Sequence, residues 1–317
     1  MRIVVLDAFI TDQGDEGAWS ELRKLGDTVV HARTSLEETA VRCAEAEIVL
    51  TNKVVMDGLA MGPKLHYIGI LATGTNVVDL EAARSRGITV TNVPGYSTDS
   101  VAQLVFALLL HFTHDVAGHS TDVKAGGWAT SRDFCYTKQP LMELHGKTLV
   151  ILGTGAIGSV VERIGRAFGM EVLSARVPGS PRPDRMPLED ALPKADVVTL
   201  HCPLTDKTRN LVNEKFLAAM KPSAILINTG RGLLINESDL AAALLQGRLS
   251  GVGLDVLSRE PPLRDHLLLD PHAPWARKVV VTPHLGWATI EARQRLVEMA
   301  VDNLKGFLAG KPLNQVL

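Results

Sequence analysis

Short apolar runs rich in β-branched residues alternate with helical stretches along most of the chain, and this rhythm limits the possible folds more than any other feature. The strand-like runs of residues 2–93 are IVVLD, TVVHA, EIVLT, YIGIL and ITVTN, and those of residues 147–284 are KTLVILG, EVLSA, DVVTLHC, AILINTG, SGVGLDVL and KVVVTPH. Such alternation is typical of parallel sheets whose strands are joined by crossover helices. We therefore predict an α/β fold with two units, each built on a parallel sheet.

Two helical stretches mark where these units begin and end. Residues 101–112 place Val, Leu and Phe at helical spacing behind potential caps at 97–99, which predicts a long connecting helix with a broad apolar face. Residues 289–308 predict a further amphipathic helix, and since the last thirty or so residues are too few to form a domain, we expect them to pack on the first unit. The predicted domains are 1–98 plus 286–317, and 99–285. With 46% hydrophobic residues among 317, the chain can fill two cores.

Charge and cysteine content exclude several classes of partner. A net charge of -2 and a pI near 6.6 give no basis for binding nucleic acid or an anionic membrane surface, both of which attract clustered Lys and Arg. The three cysteines are odd in number and lack the spacing of metal sites or redox pairs, so we predict no metal and a reducing compartment; they are Cys43, Cys135 and Cys202. No signal peptide or membrane-spanning run is visible, and we expect a soluble, cytoplasmic protein.

Gly153, Gly155 and Gly158 follow the strand-like run TLVIL and open a predicted helix at 156–168. In this context the first glycine allows a tight turn, the second lets a pyrophosphate approach the backbone, and the third lets helix and strand pack closely. The helix N-terminus then faces the phosphates. The alternative is a glycine-rich turn of any α/β protein, but the flanking strand and helix and a second strand at the right distance favour a dinucleotide site.

Arg176 ends that second strand, at the position where enzymes that use NAD usually carry an acid that binds the ribose 2′-hydroxyl. An acid repels a 2′-phosphate, whereas Arg176, with Ser174 and Arg182, can form charge-assisted hydrogen bonds to it. The sequence therefore favours NADP(H). The alternative is NAD(H), with Arg176 stacked on adenine or exposed to solvent.

Arg231, Glu260 and His284 each follow a strand-like run of the second unit. Because ligands of open parallel sheets bind at the carboxyl ends of the strands, we expect these side chains to converge. Arg231 suits a substrate carboxylate, His284 can exchange a proton near neutral pH, and Glu260 can orient His284 and favour its imidazolium. Taken singly, each is more often a solvated or packed residue, and only the joint pattern favours reduction of a 2-keto acid.

The chain resembles the D-isomer-specific 2-hydroxyacid dehydrogenase family over essentially its whole length. The resemblance rests on the runs LHCPLTDKTRNLVN, ILINTGRGLLINE, LDVLSREPP and TPHLGWAT. It implies a Rossmann-fold coenzyme domain inserted into a flavodoxin-like substrate domain, with Arg231, Glu260 and His284 as substrate arginine, carboxylate partner and acid/base. It also implies that Asp255 contacts the nicotinamide carboxamide. The residues assigned to the cofactor are Gly153, Gly155, Ala156, Ile157, Gly158, Arg176, Cys202, Pro203, Thr208, Thr229, Gly230, Arg231, Asp255, His284 and Gly286.

The run LATGTNVVDLEAA resembles the substrate loop of that family, in which backbone N–H groups around Thr73, Gly74 and Thr75 receive the substrate carboxylate. A nest of N–H groups suits an anion. The alternative is a structural turn that requires Gly74.

The runs TNKVVM and PGYSTDSVAQ, together with the segment HLGWAT, resemble the glycerate dehydrogenase and hydroxypyruvate reductase branch of the family. A substrate with a terminal hydroxyl needs a polar group near its C3 end, and Asn52, Lys53 or Trp287 can supply one. Trp287 can instead be a packing aromatic, and a lactate-like substrate remains an alternative. Formate dehydrogenases pair their histidine with Gln, so Glu260 argues against formate.

Two other readings remain open at this stage. A corepressor-like dinucleotide sensor can keep the same residues without turnover, and an amino-acid dehydrogenase can use the same domain plan with another acid/base. The resemblance also implies a homodimer formed through the long helix and the arm near Trp128 to Gln139. The apolar face of that helix can instead be buried within the monomer.

Overall fold

The chain divides into two units in a computed structural model that describes residues 1–317. Unit 1 comprises Met1–Ser97 and Trp287–Leu317, and unit 2 comprises Thr98–Gly286. Each boundary lies one residue from the predicted one. Thr98 already begins the long helix, and the Gly286 N–H donates to the Asp255 carboxylate within unit 2.

Eleven strands and eleven α-helices make up the two units. The strands are β1 Arg2–Val5, β2 Asp27–Val30, β3 Ile48–Thr51, β4 Tyr67–Ile70, β5 Thr89–Thr91, β6 Thr148–Leu152, β7 Glu171–Ala175, β8 Val197–Leu200, β9 Ile225–Asn228, β10 Gly251–Leu254 and β11 Val279–Val281. The helices are α1 Phe9–Asp12, α2 Ser20–Arg23, α3 Leu36–Cys43, α4 Leu80–Ser85, α5 Thr98–His114, α6 Val116–Lys124, α7 Ala156–Ala167, α8 Leu188–Ala191, α9 Glu214–Ala219, α10 Glu237–Leu245 and α11 Ile290–Leu308. Short 3-10 helices lie at Glu16–Trp19, Leu192–Lys194, Gly232–Leu234, Leu267–Leu269 and Ala276–Lys278.

Unit 1 has a parallel five-stranded sheet in the order β2-β1-β3-β4-β5, which is the flavodoxin-like order. Side chains of a strand alternate between the two faces of the sheet. Ile3 and Val5 therefore pack in a core with Leu296 of α11, while Val4 lies in the core on the opposite face. The C-terminal helix thus supplies part of the core of unit 1.

Unit 2 has a parallel six-stranded sheet in the order β11-β10-β9-β8-β6-β7. The chain runs from β6 to β7 on one side and then returns to β8 on the other side of β6. Such a change of direction opens a crevice at the carboxyl ends of the strands, where ligands of doubly wound sheets bind. The carboxyl end of β6 carries the glycine turn, so the topology places that turn at the crevice.

The helix α5 is longer than the predicted 101–112, and its inward side chains are in the core of unit 2, among them Val105, Leu108 and Leu109. No single helix has the length and apolar composition needed to span a membrane; α5 and α6, bent by 53° at the break between them, would meet both criteria only as a pair. The last helix starts at Ile290 because Thr289 caps it, accepting a hydrogen bond from the Ala292 N–H.

Candidate active site

The glycine turn after β6 is built so that only its middle glycine faces open space. Gly153 has a φ of +101°, and a Cβ there would lie 2.7 Å from the backbone nitrogen of Cys202. A Cβ on Gly158 would lie 2.0 Å from the Gly153 carbonyl oxygen. A Cβ on Gly155 would meet no atom within 4 Å. The first and third glycines are therefore required by close packing, and the second leaves room for a ligand against the backbone.

The start of α7 supplies the polar groups for that space. Ala156 and Ile157 are its first residues, and no side chain caps its N-terminus. The free N–H groups of an uncapped first turn and the positive end of the helix dipole attract an anion. On the same sheet, the Thr229 hydroxyl, just past β9, is buried without a hydrogen-bond partner. An open backbone cradle and an unpaired buried hydroxyl are features that a bound dinucleotide would complete.

Arg176 directly follows β7 and is exposed. Its Nη2 donates hydrogen bonds to the carbonyl oxygens of Pro183 at 2.9 Å and Arg185 at 3.4 Å. These bonds hold the guanidinium against the loop between β7 and α8 while its other N–H groups remain able to bind a ligand. The first residue after β7 is thus a cation rather than an acid, although Asp184 and Asp190 line the same surface pocket as Arg176.

The turn after β8 contains Cys202, Pro203 and Thr208. The Thr208 hydroxyl donates to the Pro203 carbonyl oxygen at 2.7 Å and accepts from the Thr205 N–H at 2.8 Å. Thr208 therefore shapes this turn through its own side chain. Burial raises the pKa of the Cys202 thiol to about 11, so this group stays neutral. No three His, Cys, Asp or Glu side chains are arranged to hold a metal ion.

His201, next to this turn, gives stability a dependence on pH. Its Nε2 lies 2.9 Å from the Thr199 hydroxyl, and burial lowers its pKa from 6.5 to about 4. Between these values the unfolded chain binds a proton that the folded protein excludes, so the free energy of unfolding falls as the pH drops from 6.5 to 4. We expect a loss of up to about 3 kcal/mol across this window.

Chemical denaturation at pH 7, 5.5 and 4.5 measures this effect. The His201→Asn variant should lose much of the pH dependence, although other groups also titrate there. If the free energy of unfolding changed equally with pH in the variant and in the unmodified protein, His201 would not be the source of this dependence.

Arg231, Glu260 and His284 lie beyond the carboxyl ends of β9, β10 and β11, which are neighbours in the sheet. The Glu260 Oε2 is 2.6 Å from the His284 Nδ1, and both side chains are about one-third exposed, at 35% and 30%. Because an ionised carboxylate only accepts hydrogen bonds, Nδ1 carries the proton. The His284 Nε2 is therefore the nitrogen available to a ligand.

The backbone of His284 is held in an unusual conformation by a buried carboxylate. His284 has a φ of +53°, which is uncommon for residues other than glycine. Asp255, at 2% exposure, accepts hydrogen bonds from the Thr282 hydroxyl and from the N–H groups of Leu285 and Gly286. Burial raises the pKa of Asp255, and these hydrogen bonds oppose the rise. Asp255 thus fixes the segment on both sides of His284, in addition to the carboxamide contact that the resemblance implies.

Arg231 is exposed, and its Nη1 donates to the Gly230 carbonyl oxygen at 2.8 Å. Its turn is held by Asn228, whose Nδ2 donates to the Arg231 carbonyl oxygen and whose Oδ1 accepts from the Gly230 N–H. Sequence reasoning missed Asn228, although an Asn inside the apolar run AILINTG was the available signal.

The predicted substrate residues Asn52, Thr73, Gly74, Thr75 and Trp287 lie in unit 1. The backbone N–H groups of residues 73–75 donate to no carbonyl of the protein, whereas the Thr73 carbonyl accepts from the Asn92 Nδ2 at 2.7 Å. The loop is therefore anchored by its carbonyl side and leaves its donors free, as an anion site requires. This arrangement favours the nest over a purely structural turn.

Asn52 is 3% exposed and sits directly after β3. Its Nδ2 donates to the Leu71 carbonyl oxygen, while its Oδ1 is buried without a partner. Asp7, which sequence reasoning missed, accepts hydrogen bonds from the N–H groups of Asn52, Lys53 and Val54. Asp7 thus fixes the segment that carries the unpaired acceptor.

Trp287 packs at the edge of the unit 1 core, with its ring centroid 6.3 Å from that of Tyr96 at an interplanar angle of 68°. Edge-to-face packing of this kind stabilises aromatic pairs. Trp287 therefore has a packing role, as the alternative reading held, and its substrate role stays a prediction.

The glycine turn lies where the strand order of the unit 2 sheet changes direction, and the helix after it has no side-chain cap. A histidine paired with a carboxylate lies at the same end of the sheet. Together these are the features of a nicotinamide-dependent dehydrogenase. The family model of the NAD-binding domain of D-isomer-specific 2-hydroxyacid dehydrogenases matches residues 106–286. The chain belongs to the D-isomer-specific 2-hydroxyacid dehydrogenase family. The predicted fold class and enzyme class are thereby confirmed.

Relatives and solved structures agree with this membership. The chain is 41% identical to a hydroxypyruvate reductase of Blautia hydrogenotrophica, covering 100% of this chain and 99% of that one. It is 42% identical to a glycerate dehydrogenase of Methylorubrum extorquens over 88% of each chain. Its structure resembles an NADPH-dependent glyoxylate/hydroxypyruvate reductase from Sinorhizobium meliloti in complex with NADP and malonate, with a TM-score of 0.82 and 27% identity over 99% of this chain and 96% of that one.

Proposed function

We propose that this protein reduces hydroxypyruvate, and also glyoxylate, to the corresponding 2-hydroxy acid at the expense of NADPH. The observation that carries the proposal is the 2.6 Å Glu260–His284 pair on the sheet edge that also bears the open Gly155 turn. Relatives named for hydroxypyruvate, glycerate and glyoxylate, two of them matched over at least 88% of this chain, support this choice of substrates. A solved acyclic imino acid reductase is also similar in structure, at 27% identity, but the relatives named for hydroxypyruvate and glycerate are 41% and 42% identical, which favours a hydroxy-acid substrate over the amino-acid dehydrogenase alternative.

The chemistry of unit 2 follows from its own side chains. A bound nicotinamide supplies the hydride that is added to the keto carbon. His284, protonated on both nitrogens, gives the Nε2 proton to the developing alkoxide, while Glu260 stabilises the imidazolium through Nδ1. Arg231 pairs with the carboxylate of the substrate and polarises the neighbouring carbonyl. In the reverse direction His284 takes the proton back as a general base.

Residues of unit 1 account for recognition of the substrate. We assign the free N–H groups of residues 73–75 to its carboxylate, since unpaired backbone donors suit an anion. We assign the unpaired Asn52 Oδ1 to the C3 hydroxyl of hydroxypyruvate, because a buried acceptor without a partner favours a ligand that donates to it. Glyoxylate has no such hydroxyl and should be the poorer substrate.

We expect the protein to prefer NADPH over NADH, and we assign this preference to Arg176. Replacing Arg176 with Glu should lower kcat/KM for NADPH by about 10- to 100-fold and leave NADH less affected, because a carboxylate repels the 2′-phosphate and can bind the ribose hydroxyls. Steady-state kinetics with both cofactors measure the ratio. Arg176→Ala is the control, since it also loses the hydrogen bonds to Pro183 and Arg185 without reversing the charge. An unchanged ratio in Arg176→Glu would exclude this residue as the determinant.

A panel of 2-keto acids with NADH and NADPH tests the proposed function itself. We expect the highest kcat/KM for hydroxypyruvate with NADPH, lower values for glyoxylate and the lowest for pyruvate. A preference for pyruvate would favour the lactate-like alternative, and no turnover with any member would favour a sensor. The homodimer and the cytoplasmic location stay predictions.

A further inference from the structure

We propose that Glu237 is a positioning residue that holds the loop carrying Glu260 and so keeps Glu260 against His284. This inference rests on the proposed roles of Glu260 and His284. Glu237 is the first residue of α10, directly after the capping Asn236. It is the last residue of the run ILINTGRGLLINE, but it is not among the residues assigned to substrate or cofactor.

The Glu237 carboxylate accepts hydrogen bonds from groups far along the chain. Its Oε1 accepts from the Ser258 N–H at 2.8 Å, and its Oε2 accepts from the Ser258 hydroxyl at 2.6 Å. The His266 Nε2 lies 3.2 Å from the same Oε2. The side chains of Glu237 and His266 are only 12% and 9% exposed. A charged group so shielded is retained only when its oxygens are well paired, as they are here.

The tautomer of His266 explains why this position requires a carboxylate rather than an amide. The His266 Nδ1 accepts a hydrogen bond from the Leu268 N–H at 3.3 Å, so the ring proton lies on Nε2 and points at Glu237. Glu237 therefore faces two N–H donors and the Ser258 hydroxyl, which can also accept. A Gln at this position offers one accepting oxygen, and its NH₂ group would meet either the Ser258 N–H or the His266 N–H. The site thus discriminates between a carboxylate and its amide isostere.

Ser258, which is bound by Glu237, is connected through the backbone to the anchor of the Glu260 carboxylate. Ser258 follows Leu257, whose N–H donates to the Glu260 Oε1 at 3.1 Å. Across from it, a Cβ on Gly232 would lie 1.9 Å from the Leu257 carbonyl carbon, so the turn after Arg231 packs backbone to backbone against this loop. A shift of Ser258 would therefore displace Leu257 and the anchor of Glu260.

His284, as the acid/base, would therefore depend on Glu237, a residue to which no contact with substrate or cofactor is assigned. Glu260 favours the imidazolium form of His284 only while their atoms stay in hydrogen-bond contact. Asp255, which is held by separate hydrogen bonds, and the Arg231 guanidinium are further charged groups at these strand ends. Loss of the Glu237 hydrogen bonds should therefore weaken the Glu260–His284 contact and lower the rate of proton donation.

Glu237→Gln tests this role against Glu214→Gln. Glu214 is likewise the first residue of a helix after a capping Asn, but it is exposed. We expect Glu237→Gln to lower kcat for hydroxypyruvate about 10- to 100-fold, with KM for NADPH within about twofold, and to move the alkaline limb of the kcat profile to lower pH by about half a unit or more. Glu214→Gln should match the unmodified protein. Ser258→Ala, which removes only one donor, should change both quantities in the same direction by less.

Two results would overturn the inference. One is a folded Glu237→Gln variant with unchanged kcat and pH profile, and the other is a reduced kcat with an unmoved alkaline limb, which would indicate a merely structural role. Histidine-selective ¹⁵N NMR follows the titration of His284 without turnover and should show a lower midpoint in Glu237→Gln. If the unmodified protein reduces no 2-keto acid, the proposed function fails while this spectroscopic comparison still decides the role of Glu237.

Discussion

Replacing His284 with Asn is expected to lower kcat for hydroxypyruvate reduction by about two to four orders of magnitude. The Asn amide can still donate to Glu260, but it cannot release a proton to the alkoxide near neutral pH. The affinity for NADPH should change little, because the glycine turn lies at the end of another strand, β6. Single-turnover reduction measures the chemical step, and quenching of protein fluorescence by NADPH measures binding.

His272→Asn is the matched control for this substitution. His272 is an exposed histidine whose ring makes no hydrogen bond within the protein, and its backbone N–H alone donates to Asp270. It should retain full activity. A His284→Asn variant that keeps more than about a tenth of the kcat would show that another group donates the proton and would remove the basis of the proposed mechanism.

Replacing Arg231 with Gln is expected to lower kcat/KM for hydroxypyruvate by about two to three orders of magnitude. The loss should include a higher KM, because the guanidinium holds the carboxylate of the bound substrate, and a lower kcat, because it polarises the carbonyl. Arg231→Lys should recover only part of the activity, since an ammonium cannot present the two parallel donors of a guanidinium. Steady-state kinetics of both variants separate the two contributions.

Arg277→Gln is the control for the loss of one positive charge from unit 2. Arg277 is exposed and precedes β11, at the edge of the sheet opposite to the catalytic residues. Its substitution should leave kcat/KM within about twofold of the original. Arg231→Gln with a similarly small effect would show that the substrate carboxylate is bound elsewhere, and the assignment of Arg231 would then be wrong.

The elements with a strong local signal were predictable from sequence. The run TLVIL became β6 with a buried interior, and the glycines after it lie in the tight turn that their spacing predicted. Arg231, Glu260 and His284 follow three strands, and β9, β10 and β11 proved to be neighbours. Parallel strands place their carboxyl ends on one edge, so chain order alone was enough to expect their proximity.

The supports of the site were not predictable, because they join residues distant in sequence. Glu237 contacts Ser258 and His266, which follow it by 21 and 29 residues. Asp7 contacts Asn52, which follows it by 45 residues. Each of these side chains reads as an ordinary helix start or strand end in the sequence. Only the tertiary structure shows which donors surround a carboxylate.

Unit 1 consists of two segments of the chain separated by unit 2, and this arrangement affects how the protein folds during synthesis. Its sheet is complete after β5, yet the apolar face formed by Ile3 and Val5 is covered by Leu296 and other residues of α11, which leave the ribosome only after the whole of Thr98–Gly286. Unit 2 is continuous and can fold as it is synthesised, whereas the first ninety-seven residues must wait with an uncovered face. The apolar face of the unit 1 sheet therefore stays uncovered during synthesis until α11 emerges.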